Sequence, residues 1–335
     1  MKILRLTILV ITFIAITHCG YCANAPEVVT QVDGGIASDT RNAINALNKT
    51  LCQSMKDNRP DVMMNMFVAE GRDDPTLEAS VNKTYEQLGQ LAKGTAFNML
   101  HEYLIDVKGP GTAMVTLPSD DGNKFNMSVE GGKGPLFVSL LASGGNFKDL
   151  ILCFVYLKTK EGWQLFNFNC GIYKVDGRSP VQWYEEARKM YDKGWIVPAM
   201  QRMQLIQTFI RPAPFIAYDK EREMLDFFRA GGAEAAKRYK FPLKAAWVKD
   251  SPTIYGLDIE FVQNKLAPVV VYVTKYPLAR GVPIQEEVDA ITSRIEKAIP
   301  GITQMTDLVV YRAFTEPPLD QNKNYKYRTV PSKVR

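Results

Sequence analysis

Histidine is almost missing from this chain. Among 335 residues there are two, His18 and His101, and His18 lies just beyond an apolar, leader-like stretch. One remaining imidazole excludes paired-histidine metal sites such as the HExxH helix, and it leaves a single candidate base for a nucleophilic triad. The glycine clusters exclude as much. Gly131-Gly132-Lys133-Gly134 places a lysine after glycine, but no Ser or Thr follows and no glycine stands where a phosphate loop needs one. Gly109-Pro110-Gly111 lacks the third glycine of a dinucleotide fingerprint, and no serine occupies a Gly-x-Ser-x-Gly elbow. Asp120-Asp121-Gly122-Asn123 begins like a calcium loop without its later carboxylates, and it reads as a hairpin turn. These patterns predict neither a metal site nor a cofactor.

Basic charge is also scarcer than the net +5 suggests. Lys323, Lys326, Arg328, Lys333 and Arg335 crowd the C-terminal end with no acid among them, and Lys2 and Arg5 stand at the other end. The body between is slightly acidic. No basic stripe with interleaved aromatics appears, so no nucleic-acid partner is expected.

What is present begins with the leader. Lys2 and Arg5 precede the uncharged stretch Leu6 to Ile16, and small or polar residues follow at Thr17, Gly20 and Ala23. This three-part layout reads as a secretory signal over residues 1–23, and the stretch falls short of the roughly 20 residues of a membrane span. The protein is expected to be exported, to the periplasm or the medium. Ala23-Asn24-Ala25 has the small-x-small spacing of a cut site, although Pro26 follows it. Ile16-Thr17-His18-Cys19-Gly20 offers an alternative, because it resembles the bacterial lipobox apart from His18. On that reading Cys19 is lipidated and anchors the chain to the envelope, which is the one route to a membrane.

The rest has the composition of a globular chain, 46% apolar and 23% charged, and a length that suggests about two domains. Residues 24–38 look like a linker. Ala43, Ile44, Leu47 and Leu51 then recur at helical spacing, with Ser38 or Asp39 as cap. A short helix over 62–69 and a longer one over 75–93 follow. The period then changes to that of strands at 97–107, 112–117, 124–129 and 136–141, and at a hairpin of 150–157 against 163–173. Trp183, Ala187 and Tyr191 lie on one helical face, and Ala199, Met203 and Ile206 on another. From Asp219 the order is α-β-β-α-β, and residues 317–335 read as a basic flexible tail. The chain is thus α+β, divided into 39–180, a helical hairpin at 181–214, and 215–316.

Helices followed by an antiparallel sheet that ends in a long hairpin resemble the nuclear-transport-factor-two-like, or SnoaL-like, cone fold. The resemblance covers roughly residues 40–176 and rests on Ala46-Leu47-Asn48-Lys49-Thr50 running to Asp61-Val62-Met63, and on Lys160-Glu161-Gly162-Trp163-Gln164-Leu165. It implies a helix-plus-antiparallel-sheet cone; the helical hairpin and a small α-β-β-α-β sandwich are read from the residues that follow. The hairpin resembles a single tetratricopeptide-type repeat. Members of the cone group range from enzymes to binding and assembly modules, so the fold does not choose a function.

His101 and Tyr103 on one strand, with Asn167 and Asn169 on another, are the candidate polar contacts of such a cavity. Strand alternation turns Glu102 and Asp106 away from His101. Phe154, Tyr156, Phe166 and Phe168 read as sheet core. Cys153 and Cys170 face each other if Glu161-Gly162 is a two-residue turn, and lie on opposite faces if the loop is Lys160-Glu161-Gly162. The first register permits a disulfide and the second leaves free thiols. Two functions stay open: a non-catalytic binding or assembly module of the envelope, with a protein or small-molecule partner, and an enzyme or ligand carrier using the cavity. The intact mass of the native protein is expected to lack a leader ending between His18 and Ala25. A full-length chain recovered from the cytosol would end the export reading.

Overall fold

The structure, a computed structural model, describes residues 26–92, 94–144, 147–320 and 322–334. The leader and Cys19 lie outside them. The chain is α+β and divides into two compact units. The first holds the described residues up to Ser179 together with Phe209–Asp219, and the second holds Pro180–Thr208 and Lys220 onward.

In the first unit β1 (Val28–Val32) leads through a 3-10 turn (Asp33–Gly35) into the helices α1 (Ser38–Lys56), α2 (Pro60–Met66), α3 (Ala69–Arg72) and α4 (Pro75–Ala92). The strands β2 (Phe97–Val107), β3 (Thr112–Pro118), β4 (Lys124–Glu130), β5 (Leu136–Ser143), β6 (Lys148–Thr159) and β7 (Gly162–Val175) follow. The linker expected at 24–38 is therefore corrected in part. Val28–Val32 pairs antiparallel with Tyr103–Val107 and becomes an edge strand. The α1 cap differs too: Ala37 holds the N-cap position without a side-chain bond, and Ser38 is already helical.

The large sheet runs β1-β2-β5-β6-β7, every pair antiparallel. Ile44, Asn48, Leu51 and Met55 form the buried stripe of α1. With Met63, Val81 and Tyr85 they pack on Phe137, Leu152, Phe154 and Tyr156. Asn48 is the polar member of this core. Its Nδ2 donates to Ser139 Oγ at 3.0 Å, and its Oδ1 accepts from the Tyr156 hydroxyl at 2.7 Å. Both amide groups are thereby satisfied out of water. Alternation sends Tyr103, Ile105, Val138, Leu140, Ile151, Cys153 and Val155 to the opposite face, where they are also buried. There the Tyr103 hydroxyl donates to the carbonyl of Pro118, the last residue of β3, at 2.7 Å.

The hairpin of β6 and β7 has a turn that neither sequence alternative contained, but at the cysteines its register is that of the second alternative. The turn is Lys160-Glu161, with Thr159 opposite Gly162. A bulge at Phe166 then shifts the ladder, so Cys153 faces Asn169 and Cys170 faces Leu152. The two sulfurs lie on opposite faces and both thiols are free, which corrects the disulfide candidate. Phe166, expected in the core, is exposed at that bulge, with the Lys133 Nζ 5.6 Å from its ring centroid.

The helices α5 (Pro180–Asp192) and α6 (Ile196–Ile206) belong to the second unit, whereas β8 (Ile216–Tyr218) returns to the first and pairs with β4. The expected boundary at 214–215 therefore cuts through a segment that belongs with residues 39–180. The second unit continues with α7 (Glu221–Arg238), β9 (Leu243–Lys244), β10 (Thr253–Val262), β11 (Lys265–Val273), α8 (Gly281–Ala298), β12 (Leu308–Phe314) and β13 (Tyr327–Lys333). Its sheet runs β13-β12-β11-β10-β9. Gln263 and Asn264, both at positive φ, make the tight turn between β10 and β11. The strands β11 and β12 are parallel, joined through α8, whose Ile284, Val288, Ile291 and Ile295 pack on Val270, Tyr272, Val309 and Tyr311. The tail is corrected as well. Residues 327–333 pair along all of β12, with Val330 and Ser332 turned inward. Pro331 is tolerated because β13 is an edge strand.

Within this unit Glu287 of α8 is 5% exposed, and neither of its carboxylate oxygens has a partner in full hydrogen-bonding geometry. Burial raises its pKa, against a smaller opposing pull from Thr274 and Tyr272. A carboxyl whose folded pKa lies above its unfolded value favours the protonated fold. Its ionisation penalty is absent below the ordinary carboxylate range and grows as pH rises through the raised pKa. Glu287→Gln is therefore expected to melt with the parent at pH 4 and several degrees above it at pH 8, as read by differential scanning calorimetry. Equal melting temperatures at pH 8 would contradict this assignment.

Candidate functional site

The strand β2 carries the chemistry expected of the first unit, and a slip in its ladder arranges it. Met99 faces Leu141, and the next paired residue, His101, faces Leu140. Leu100 is thus the bulged residue. As a result Phe97 and Leu104, an odd number of positions apart, both pack toward the helical core. His101 and Tyr103 turn to the other face, with ring centroids 5.6 Å apart.

Asp33 fixes this bulge. It sits at φ +46, in the left-handed region that Asp tolerates better than most residues. Its Oδ1 accepts the Glu102 backbone N–H at 2.8 Å, and its Oδ2 lies 3.0 Å from His101 Nδ1. His101 Nε2 is buried without a hydrogen-bond partner. On the helical side Glu102 is 1% exposed and accepts from Arg41 Nε of α1 at 2.6 Å. Adjacent residues of β2 thus grip the chain on either side of Ala37, one through a carboxylate before α1 and one through a guanidinium within it. Alternation correctly excluded Glu102 as the partner of His101. It gave no sign of Asp33, which lies 68 positions away in sequence.

The four candidate residues do not converge. Asn167 and Asn169 stand opposite Val155 and Cys153, on the face shared with Tyr103, but on β7 rather than β2. Two strands lie between. At about 4.8 Å per strand the pairs are roughly 14 Å apart along the sheet. Tyr103 is fully buried, and burial pushes its hydroxyl far above the usual range. It is a packing residue with one satisfied bond.

The concavity lies elsewhere in this unit. A cleft of about 870 Å³ runs between α1 and the first residues of β2. One wall is the α1 stripe Asn42, Asn45, Lys49, Gln53 and Lys56, and the other is Ala96 to Met99, with Leu141 between them. This volume is within the range of small-ligand sites. None of the lining residues is acidic. Cys52 is the one nucleophilic side chain, and burial pushes its thiol to about 11 against a smaller opposing effect of Lys56. At neutral pH it is a thiol rather than a thiolate, a state without nucleophilic strength. Burial likewise raises Cys153 and takes Cys170 to about 12. Among the described residues no group of three or more His, Cys, Asp or Glu is placed to hold a metal, and no helix is long and apolar enough to cross a membrane. No protein-family model matches this chain, and no curated protein or solved structure is significantly similar to it.

Asp33→Ala removes two acceptors and puts a less tolerant residue at positive φ. It is expected to lower unfolding stability by about 1–3 kcal/mol in urea titrations, with Asp33→Asn losing less. An unchanged midpoint for the alanine variant would show that the bulge does not depend on this carboxylate.

Proposed function

We propose that this protein is an exported, non-catalytic binding module whose ligand occupies the cleft between α1 and β2. The observation that carries the reading is the lining. Asn42, Asn45, Lys49, Lys56 and Asn98 present amide and ammonium groups to an open cleft without a carboxylate among them. Such a set recognises polar or anionic groups by hydrogen bonds and charge, and it offers no base or activated nucleophile to a bound molecule. The leader-like first residues support export to the periplasm or medium, with lipid anchoring at Cys19 as the variant form. Helices α1, α2 and α4 against one face of an antiparallel sheet support reading the first unit as a cone of the nuclear-transport-factor-two-like kind. The consecutive helices α5 and α6 support a tetratricopeptide-like hairpin, and the second unit a small α+β sandwich. The partner is a protein or a small molecule rather than a nucleic acid.

The second reading is an enzyme or small-ligand carrier. It is favoured by one observation, an imidazole oriented by Asp33 with its other nitrogen buried and unpartnered. Native mass spectrometry of the protein isolated from its own source separates the two. A bound species retained by the parent is expected to be lost from Lys49→Glu/Lys56→Glu and kept by His101→Ala. Loss from the His101 variant alone, with the fold intact, would favour the second reading, and a species indifferent to both changes would overturn the cleft.

A further inference from the structure

The cleft has a property that a pocket lined by side chains alone lacks. Residues 96 to 99 all border it. Successive residues of a strand point to opposite faces, so a cavity that meets the strand residues Phe97, Asn98 and Met99 in a row meets the strand along its edge. That edge is open. The strand β5 covers one side of β2 from Phe97 to Ile105. On the other side β1 pairs only from Val107 to Tyr103, and then Asp33 turns the chain away while closing off the Glu102 amide. Among the described residues no strand lies beside Phe97–His101 on that side. The open edge is about 17 Å long at 3.3 Å per residue, enough for a five-residue strand. The facing stripe of α1, from Asn42 to Lys56, runs about 21 Å at 1.5 Å per residue.

Resting on the reading of this cleft as the ligand site, we infer that its ligand is an extended, acidic peptide segment of a partner protein, which adds to the sheet beside β2 in line with β1. Two observations carry this. The first is the unpaired backbone edge, whose N–H and C=O groups a ladder would satisfy. The second is charge. Lys49 and Lys56 enter no ion pair among the described residues, and no carboxylate lines the cleft, so carboxylates of the peptide would meet ammonium groups without a competitor. The exposed Met99 gives alternate peptide side chains an apolar surface, while Asn42 and Asn45 border the same cleft from α1. The arrangement is the strand-and-helix groove of β-augmentation, in which the ladder supplies affinity and flanking side chains supply choice.

The test pans a displayed library of random nonapeptides against the full processed protein and measures the selected peptides by fluorescence anisotropy. Enriched peptides are expected to be acidic and free of proline in their central residues. N-methylation of every second amide should abolish binding in one register and spare it in the other. Lys49→Glu/Lys56→Glu should weaken binding by about tenfold or more, with rising salt acting in the same direction. Both lysines are solvent-accessible, so the variant should melt with the parent; Lys49→Gln/Lys56→Gln provides a milder control. Failure to enrich any peptide, indifference to charge reversal, or tolerance of N-methylation in both registers would overturn the inference. If the species seen in native mass spectrometry is still lost from the lysine variant while no peptide binds, strand addition fails and the binding cleft stands. If neither is seen, both fail.

Discussion

Much of the first unit depends on one carboxylate. Asp33 accepts the backbone N–H of Glu102 at the slip in the β2 ladder, and through that contact it decides which residues of the strand face which layer. Upstream of the slip Phe97 faces the helices; downstream of it Leu104 does. Without the bulge strict alternation would send one of these two away from the helical core. The same carboxylate also ends β1, because its left-handed backbone carries the chain out of the sheet and toward α1. Sheet register, the start of the helical layer and the length of open strand edge thus have a common origin in a residue that is itself partly exposed.

Buried polarity on the inner face of α1 is handled by pairing rather than by exclusion. Asn48 spends both ends of its amide on Ser139 and Tyr156, and Ser54 meets the Tyr85 hydroxyl at 2.6 Å. The Asn48 bonds fix α1 at a chosen azimuth and height over the sheet, and the Ser54 bond ties it to α4, which an all-apolar stripe would leave less defined. The buried stripe and the cleft-lining stripe are neighbouring rows of the same helix, so the polar contacts of the first hold the second in place. In the second unit Glu287 lacks such pairing, and burial shifts its protonation instead.

Where apolar spacing was long and regular, the sequence was legible. The face of α8 at Ile284, Val288, Ile291 and Ile295 could be read directly, as could the α1 stripe. The two terminal strands could not. Val28–Val32 has one turn of alternation, and residues 327–333 carry so much charge and proline that composition suggested a tail; each is held by pairing with a neighbour distant in sequence. The fate of Cys153 and Cys170 turned on a single extra residue, Phe166, which no periodicity announces because both registers leave an apolar face filled. The cleft was the least legible feature. Its residues include Asn42, Asn45, Lys49 and Asn98, ordinary as letters, and what distinguishes them is a backbone edge left uncovered by a strand that stops short.

The placement of β8 has a consequence for how the chain is made. Ile216 to Tyr218, the strand that completes a three-stranded sheet of order β3-β4-β8 in the first unit, follow two helices that belong to the second. During synthesis the first unit therefore waits with β4 paired to β3 alone and its other edge uncovered while α5 and α6 leave the ribosome, and those helices are finished before the strands of their own unit exist. Neither unit is a continuous stretch of gene. Recombination at a single point would cost the first unit β8, the second unit α5 and α6, or both, so the two are inherited as a single object.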